Sequence, residues 1–197
     1  MVASLNDIPI TLGGEEMTEQ AHIPVRKHEP DLYASHEDFH TVFNENLKEL
    51  YQLSFLLTRD HEKAERCLVS GLEDCVTGNR VFRDWARSWA KRTIIQNAIR
   101  ELKPRPSQAD LPASGAILPD QLPNRPGGHF LTDAVLCLQD FERFAFVISV
   151  LERYSEHDCI LLLGCWVREF REARASAFRE LMDSSKREAE NKAEAGA

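Results

Sequence analysis

Six of the nine prolines, at Pro104, Pro106, Pro112, Pro119, Pro123 and Pro126, crowd with Gly115, Gly127 and Gly128 into residues 103–130. Proline lacks an amide hydrogen and fixes its φ angle, so such a stretch neither continues a helix nor pairs as a central strand. It is expected to be a linker, and it divides the chain in two. Residues 1–35 carry Pro9, Gly13, Gly14, Pro24 and Pro30 among polar side chains and should form a flexible lead. Residues 183–197 are charged and alanine-rich, with almost nothing apolar to pack, and should form a mobile tail. Two blocks remain to fold, 36–102 and 131–182. Each is below the roughly 70 to 80 residues at which a lone core becomes secure, so they should lean on each other or on a partner.

Both blocks have helical periodicity. Ser35 can cap a helix, with Asp38 three residues on, and Phe39, Val42, Phe43, Leu47, Leu50 and Tyr51 follow as one face up to Thr58. Asp60 can cap a second helix on which Ala64, Cys67, Leu68, Leu72, Cys75 and Val76 keep the same rhythm until Gly78 and Asn79. A third runs from Phe82 to Leu102, where Pro104 ends it. Beyond the linker come one or two helices over Asp133–Arg153, a short helix Ser155–Leu163, a turn at Gly164 and a last helix Val167–Met182. No alternation persists long enough for a strand, so the expected fold is all-α, two small helical domains of which the C-terminal one has a helix-turn-helix outline.

Charge excludes some functions. The chain has 24 Lys and Arg against 32 Asp and Glu, a net −8, so it cannot hold nucleic acid by bulk charge. Its longest apolar stretches, Phe144–Leu151 and Cys159–Val167, fall short of the roughly 18 residues that span a membrane. Met1–Asp7 has no basic patch leading into an apolar core, and the expected compartment is the cytoplasm. Cys67, Cys75, Cys137, Cys159 and Cys165 are an odd set without a Cys-x-x-Cys pair, consistent with reduced, mostly buried thiols. His36-Glu37-Asp38-Phe39-His40 matches a zinc-binding pattern, but it sits at the start of a helix with no third ligand, and no metal is expected. No phosphate loop, nucleophile elbow or carboxylate pair stands out, so neither enzyme activity nor a cofactor is expected.

Local charge is more telling. Phe82–Arg105 holds seven basic residues against two acidic ones. Arg83, Arg87 and Lys91 share one arc of the helix and Phe82, Trp85, Trp89 and Thr93 another. Cations neutralise phosphates and rings stack on unpaired bases, which suits an opened nucleic-acid strand; the plainer alternative is a solvated face over tryptophans packed in the core. On the last helix Val167, Phe170, Ala173, Ala177 and Leu181 form the packing side. Arg168, Arg171 and Arg179 point away, within reach of guanines or phosphates in a major groove, while Glu169, Glu172 and Glu180 leave the helix little net charge.

The order of these parts resembles the extracytoplasmic-function class of bacterial RNA polymerase sigma factors. The similarity covers Phe39–Leu102 and Leu138–Leu181. It is carried by Leu57-Thr58-Arg59-Asp60, Ala64-Glu65-Arg66, the run Phe82, Trp85, Trp89-Ala90, Arg92, Gln96 and Arg100, and then Tyr154-Ser155, Leu163-Gly164 and Arg168, Arg171, Arg174. The polymerase-binding motif is degenerate: Val69, Ser70 and Leu72 stand where Gln, Glu and Phe are typical, and Gln139 replaces a proline. The resemblance implies that the first block binds RNA polymerase core through Glu62, Glu65, Arg66 and Val69. It implies a grip on melted promoter DNA by Arg83, Trp85, Arg87, Lys91 and Arg92, and upstream recognition by Arg168, Arg171, Arg174 and Arg179. An anti-sigma protein is a further implied partner. Two alternatives remain: a sigma-like adaptor or decoy working by protein contact, and a dimeric helix-turn-helix repressor.

Overall fold

The computed structural model describes residues 32–78, 80–106 and 130–195, so the expected linker lies almost wholly, and residues 1–31 of the lead entirely, outside the described residues. What is described is all-α, apart from an isolated antiparallel bridge between Tyr33 and Phe82. The helices are α1 (His36–Glu45), α2 (Leu47–Thr58), α3 (His61–Thr77), α4 (Ala86–Leu102), α5 (Phe130–Cys137), α6 (Asp140–Phe146), α7 (Glu156–Leu163) and α8 (Val167–Ala195). A 3-10 turn, Arg83–Trp85, leads into α4, and a π turn, Val147–Leu151, follows α6.

Capping chemistry sets these boundaries. Ser35 Oγ accepts the Asp38 amide at 3.2 Å while the Asp38 carboxylate accepts the Ser35 amide at 2.8 Å, a reciprocal box that opens α1. Asp60 Oδ1 accepts the Lys63 amide at 3.0 Å and opens α3. Ser155 does the same for α7, through the Asp158 amide. At the other end of α7, Gly164 takes φ +61° and donates to Ile160 O at 2.9 Å, the left-handed stop that glycine makes without strain.

Two segments differ from expectation. The single helix expected to Thr58 is broken at Asn46, whose side-chain amide donates to Val42 O at 2.8 Å. Asparagine competes with the helix for its own carbonyls, and the change of direction leaves Leu47 exposed instead of in the core. The last helix does not stop at Met182 but continues to Ala195. Its runs of Glu, Lys, Arg and Ala are strong helix formers even without a packing face.

Helices α1–α4 pack as a bundle, with α3 laid along α4 and α2 against both, and α6 packs on α8. Buried apolar side chains from Phe39 on α1 to Leu181 on α8 form one continuous cluster. Gly71 lets α3 approach α4 so closely that a methyl group there would stand 2.9 Å from Ile94 Cγ1. Thr93 Oγ1 bonds back across this seam at 3.3 Å to both Gly71 O and Cys75 Sγ.

The two halves are joined by a polar latch where α2 meets α5 and α6. Arg143 is fully buried; its guanidinium donates to Leu57 O at 3.0 Å, Leu138 O at 2.9 Å and Asp140 Oδ1 at 2.7 Å. Arg59, in the left-handed region at φ 58°, reaches the same Asp140 oxygen at 3.3 Å and Leu136 O at 3.3 Å. Leu57 and Leu136 lie in the last turns of α2 and α5, whose carbonyls have no helical amide to accept from, and Leu138 directly follows α5, so two cations satisfy and neutralise two helix C-termini at once.

Candidate nucleic-acid interface

The basic run on α4 divides by partner. Arg83 donates from Nη2 and Nε to Asp38 Oδ1, at 2.6 and 3.0 Å, and so ties the 3-10 turn to the start of α1. The Asp38 carboxyl is accordingly held down to about 2, mainly by Arg83 and then by the Ser35 donors. Arg87 pairs with Glu49 on α2. Lys91 bridges Glu49 and Glu152, each at 2.7 Å. Burial pulls the Lys91 ammonium down, but the hydrogen bonds to Glu152 and Glu49 outweigh it and leave its pKa raised. Arg92 is half-buried and has no hydrogen-bond or ion-pair partner among the described residues.

The aromatic side of α4 departs from the packed-tryptophan alternative. Trp89 is partly buried against the core, yet Trp85 is 63 % exposed. Trp85 sits on the 3-10 turn, ahead of the helix proper, with its ring edge-on to Phe82 at 5.3 Å. Phe82 in turn stacks on Tyr33 at 5.0 Å, and the Leu32 carbonyl accepts the Arg83 amide. The last residues of the lead, Leu32 to Ser35, are therefore pinned to this turn.

On α8, Phe170, Ala173, Ala177 and Leu181 are buried as the wheel requires, but Val167 is 46 % exposed. It lies on the first turn, before the helix settles on α6 and α7. Arg168 extends into solvent and touches Glu172. Arg171 grips Glu156 of α7 through two nitrogens, the closest approach 2.7 Å, which raises the arginine and lowers the glutamate pKa. Arg174 lies over the Phe170 ring, 5.6 Å from its centre, and Arg179 is exposed. Glu169 does more than dilute charge: it accepts the Trp166 amide at 2.8 Å and caps α8.

The four α3 residues assigned to polymerase share one outer face. Glu62 and Glu65 are exposed, Val69 is 58 % exposed, and Arg66 bridges Glu62 and Glu101 at 2.6 and 2.8 Å. Of the zinc-like pattern, Asp38 is consumed by the cap and by Arg83, while His36 and His40 are exposed. Cys67, Cys75 and Cys159 are buried thiols whose pKa burial raises, whereas Cys137 is exposed. Among the described residues no helix is long and apolar enough to cross a membrane.

Three features escaped the sequence. Trp166, in the turn before α8, is 78 % exposed and carried no periodic signal. Glu49 and Glu152 gather the α4 cations from distant parts of the chain. Arg143 did leave a trace, a lone cation inside the apolar run Phe141–Ile148.

No family model matches the chain, and no curated protein matches it. Among solved structures it is similar to the sigma factor RpoE of Bartonella quintana, in a co-crystal structure with the anti-sigma factor NepR. The identity is 20 %, 76 % of this chain and 98 % of that chain are covered, and the TM-score is 0.45.

Proposed function

We propose that the chain is a sigma-factor-like transcription initiation protein that binds promoter DNA and recruits RNA polymerase, with no catalysis of its own. The observation that carries this reading is the α7–α8 hairpin. A short helix capped by Ser155 ends in the left-handed Gly164, and a long helix follows whose first turns hold Arg168 and Arg171 at the surface opposite the buried Phe170. This supports reading the pair as a helix-turn-helix, in which the second helix offers its first turns to base edges. Arg87, Lys91, Arg92 and Trp85 on and before α4 supply cations beside an exposed ring for an unpaired strand, and the outer face of α3 is the surface for polymerase. An anti-sigma protein belongs to the same reading as an inhibitory partner.

The decisive experiment is transcription from added promoters with polymerase captured from bacterial extract, alongside DNA binding measured over a series of salt concentrations. Arg168→Ala with Arg171→Ala should relax sequence preference on duplex DNA, at about 1–3 kcal/mol of discrimination for each base edge no longer read. Arg87→Ala with Lys91→Ala should instead weaken forked and single-stranded DNA and flatten the log-log salt slope by about one for each phosphate no longer neutralised. Polymerase-free captures and salt-independent binding would refute the reading.

A second reading has its own support: an adaptor or decoy acting by protein contact. Arg87, Lys91, Arg168 and Arg171 all hold carboxylate partners, so DNA would first have to displace Glu49, Glu152, Glu172 and Glu156. Capture of one stoichiometric protein partner without promoter-dependent transcripts would favour it.

A further inference from the structure

Helix α4 and the segment Glu152–Asp158 face each other across an open cleft of about 770 Å3. A second recess of about 400 Å3, reaching Leu161 and Leu162 of α7, shares Arg92 and Gln96 with it. The larger space is within the range of about 300–1,000 Å3 typical of small-ligand sites. Its walls come from both halves of the molecule.

The charges around the cleft are unequally committed. Arg87 and Lys91 rest on Glu49 and Glu152, and Asp158 accepts from the Ser155 hydroxyl at 2.6 Å. Arg92 and Arg153 have no hydrogen-bond or ion-pair partner among the described residues. Arg153 is exposed and held at φ 57°, just after the π turn. Half-buried rings, Trp89 and Tyr154, line the same cleft. Burial raises the Tyr154 pKa, so its phenol remains a neutral hydrogen-bond donor at ordinary pH.

Uncommitted guanidinia bind phosphate oxygens through paired N–H groups. Flat rings beside them bind flat heteroaromatic bases by stacking, worth about 1–3 kcal/mol per base. We infer that the cleft is a binding site for a nucleoside phosphate, with Arg92 and Arg153 taking the phosphate and Trp89 and Tyr154 the base. A bare phosphate leaves the rings idle, and an uncharged nucleoside leaves the arginines idle, so both parts are needed for tight binding. The same chemistry is offered by a free nucleotide and by one nucleotide unit of a single strand. The strand as source rests on the proposed grip of α4 on an unpaired strand, and Arg153, which that grip does not use, separates the two; the free-nucleotide source requires neither polymerase nor duplex recognition by α8.

The full-length chain is titrated with AMP, GMP, adenosine, inorganic phosphate and an eight-residue oligothymidylate, followed by calorimetry and by tryptophan fluorescence. Saturable binding of AMP or GMP at least tenfold tighter than of phosphate or adenosine supports the site with a free nucleotide as its source. Tighter binding of the oligothymidylate, with the same arginine dependence, supports it with a strand as the source. Arg92→Ala should lose at least tenfold and Arg92→Lys less. Arg153→Gly, which keeps the positive φ without strain, should weaken binding from an exposed position where folding is not at stake, and Lys48→Ala on α2 should leave it unchanged. The site is overturned if neither nucleotides nor oligothymidylate saturate by millimolar concentration, if phosphate alone binds as tightly, or if Arg153→Gly and Arg92→Lys both bind like the parent. Duplex recognition by Arg168 and Arg171 is measured separately, so either result can fail without the other.

Discussion

Arg143 carries a charge into a position with no solvent exposure, where burial, followed by the like charge of Arg59, holds its pKa down to about 10. The charge persists because the guanidinium replaces its lost hydration with Leu57 O, Leu138 O and Asp140. Removing it orphans the carbonyl at the end of α2. Arg143→Met, which keeps the packing, should cost about 1–3 kcal/mol, and Arg143→Ala, which also opens a cavity, about 3–5 kcal/mol. Urea unfolding gives both numbers, and the order of the two variants is the test. Asp38 behaves in the opposite sense. Its folded pKa of about 2 lies below the ordinary 3.8, so its contribution is complete above pH 4 and is lost as pH falls toward 2. Asp38→Asn should therefore melt lower than the parent at pH 7, and the gap between them should narrow over pH 4 to 2. A gap independent of pH would separate the cap from its charge. Both side chains were visible in the sequence, but only Asp38 had a local role there, as the third residue after a serine. The partner of Arg143 on α2 lies 86 residues away.

Helices α3 and α4 meet at a close seam, at Gly71 and Ile94. Gly71→Val would thrust branched carbons into Ile94, which already stands 2.9 Å from the position of an added Cβ, and should destabilise the chain by about 1–3 kcal/mol through overpacking. Pairing it with Ile94→Ala should recover part of that loss, and additive effects in a double-mutant cycle would show that the two positions do not touch. The caps at Ser35, Asp60 and Ser155 and the stop at Gly164 were legible because each acts within a few residues. The break at Asn46 was not, since the apolar spacing runs straight through it. The extension of α8 to Ala195 was hidden for the converse reason: the residues after Met182 form helix by intrinsic propensity, with no apolar stripe to announce it.

Among the described residues two polar tethers hold the halves together: the latch of Arg59, Asp140 and Arg143, and the bridge from Lys91 to Glu152 beside the cleft. Between them runs the shared apolar cluster. Here Arg87 and Lys91 are held by Glu49 of α2 and by Glu152, which limits their reach toward nucleic acid. Arg59→Ala combined with Glu152→Ala should split the single thermal transition into two or broaden it clearly. Amide exchange across α5 to α7 should speed up before that of α3 and α4. A single sharp melt at lower temperature would mean that the apolar cluster alone couples the halves.

The helical class, the caps and most of the inward faces were legible in the residues alone, because all of these follow from short-range spacing and backbone chemistry. Which cations are left without a carboxylate depends on the folded chain. A helix face can be read as basic from its residues, but Glu49 and Glu152 come from elsewhere in the chain to occupy Arg87 and Lys91, while Arg92 and Arg153 line one cleft without carboxylate partners among the described residues. Pairing of charges depends on distances between remote segments, and packing alone sets those.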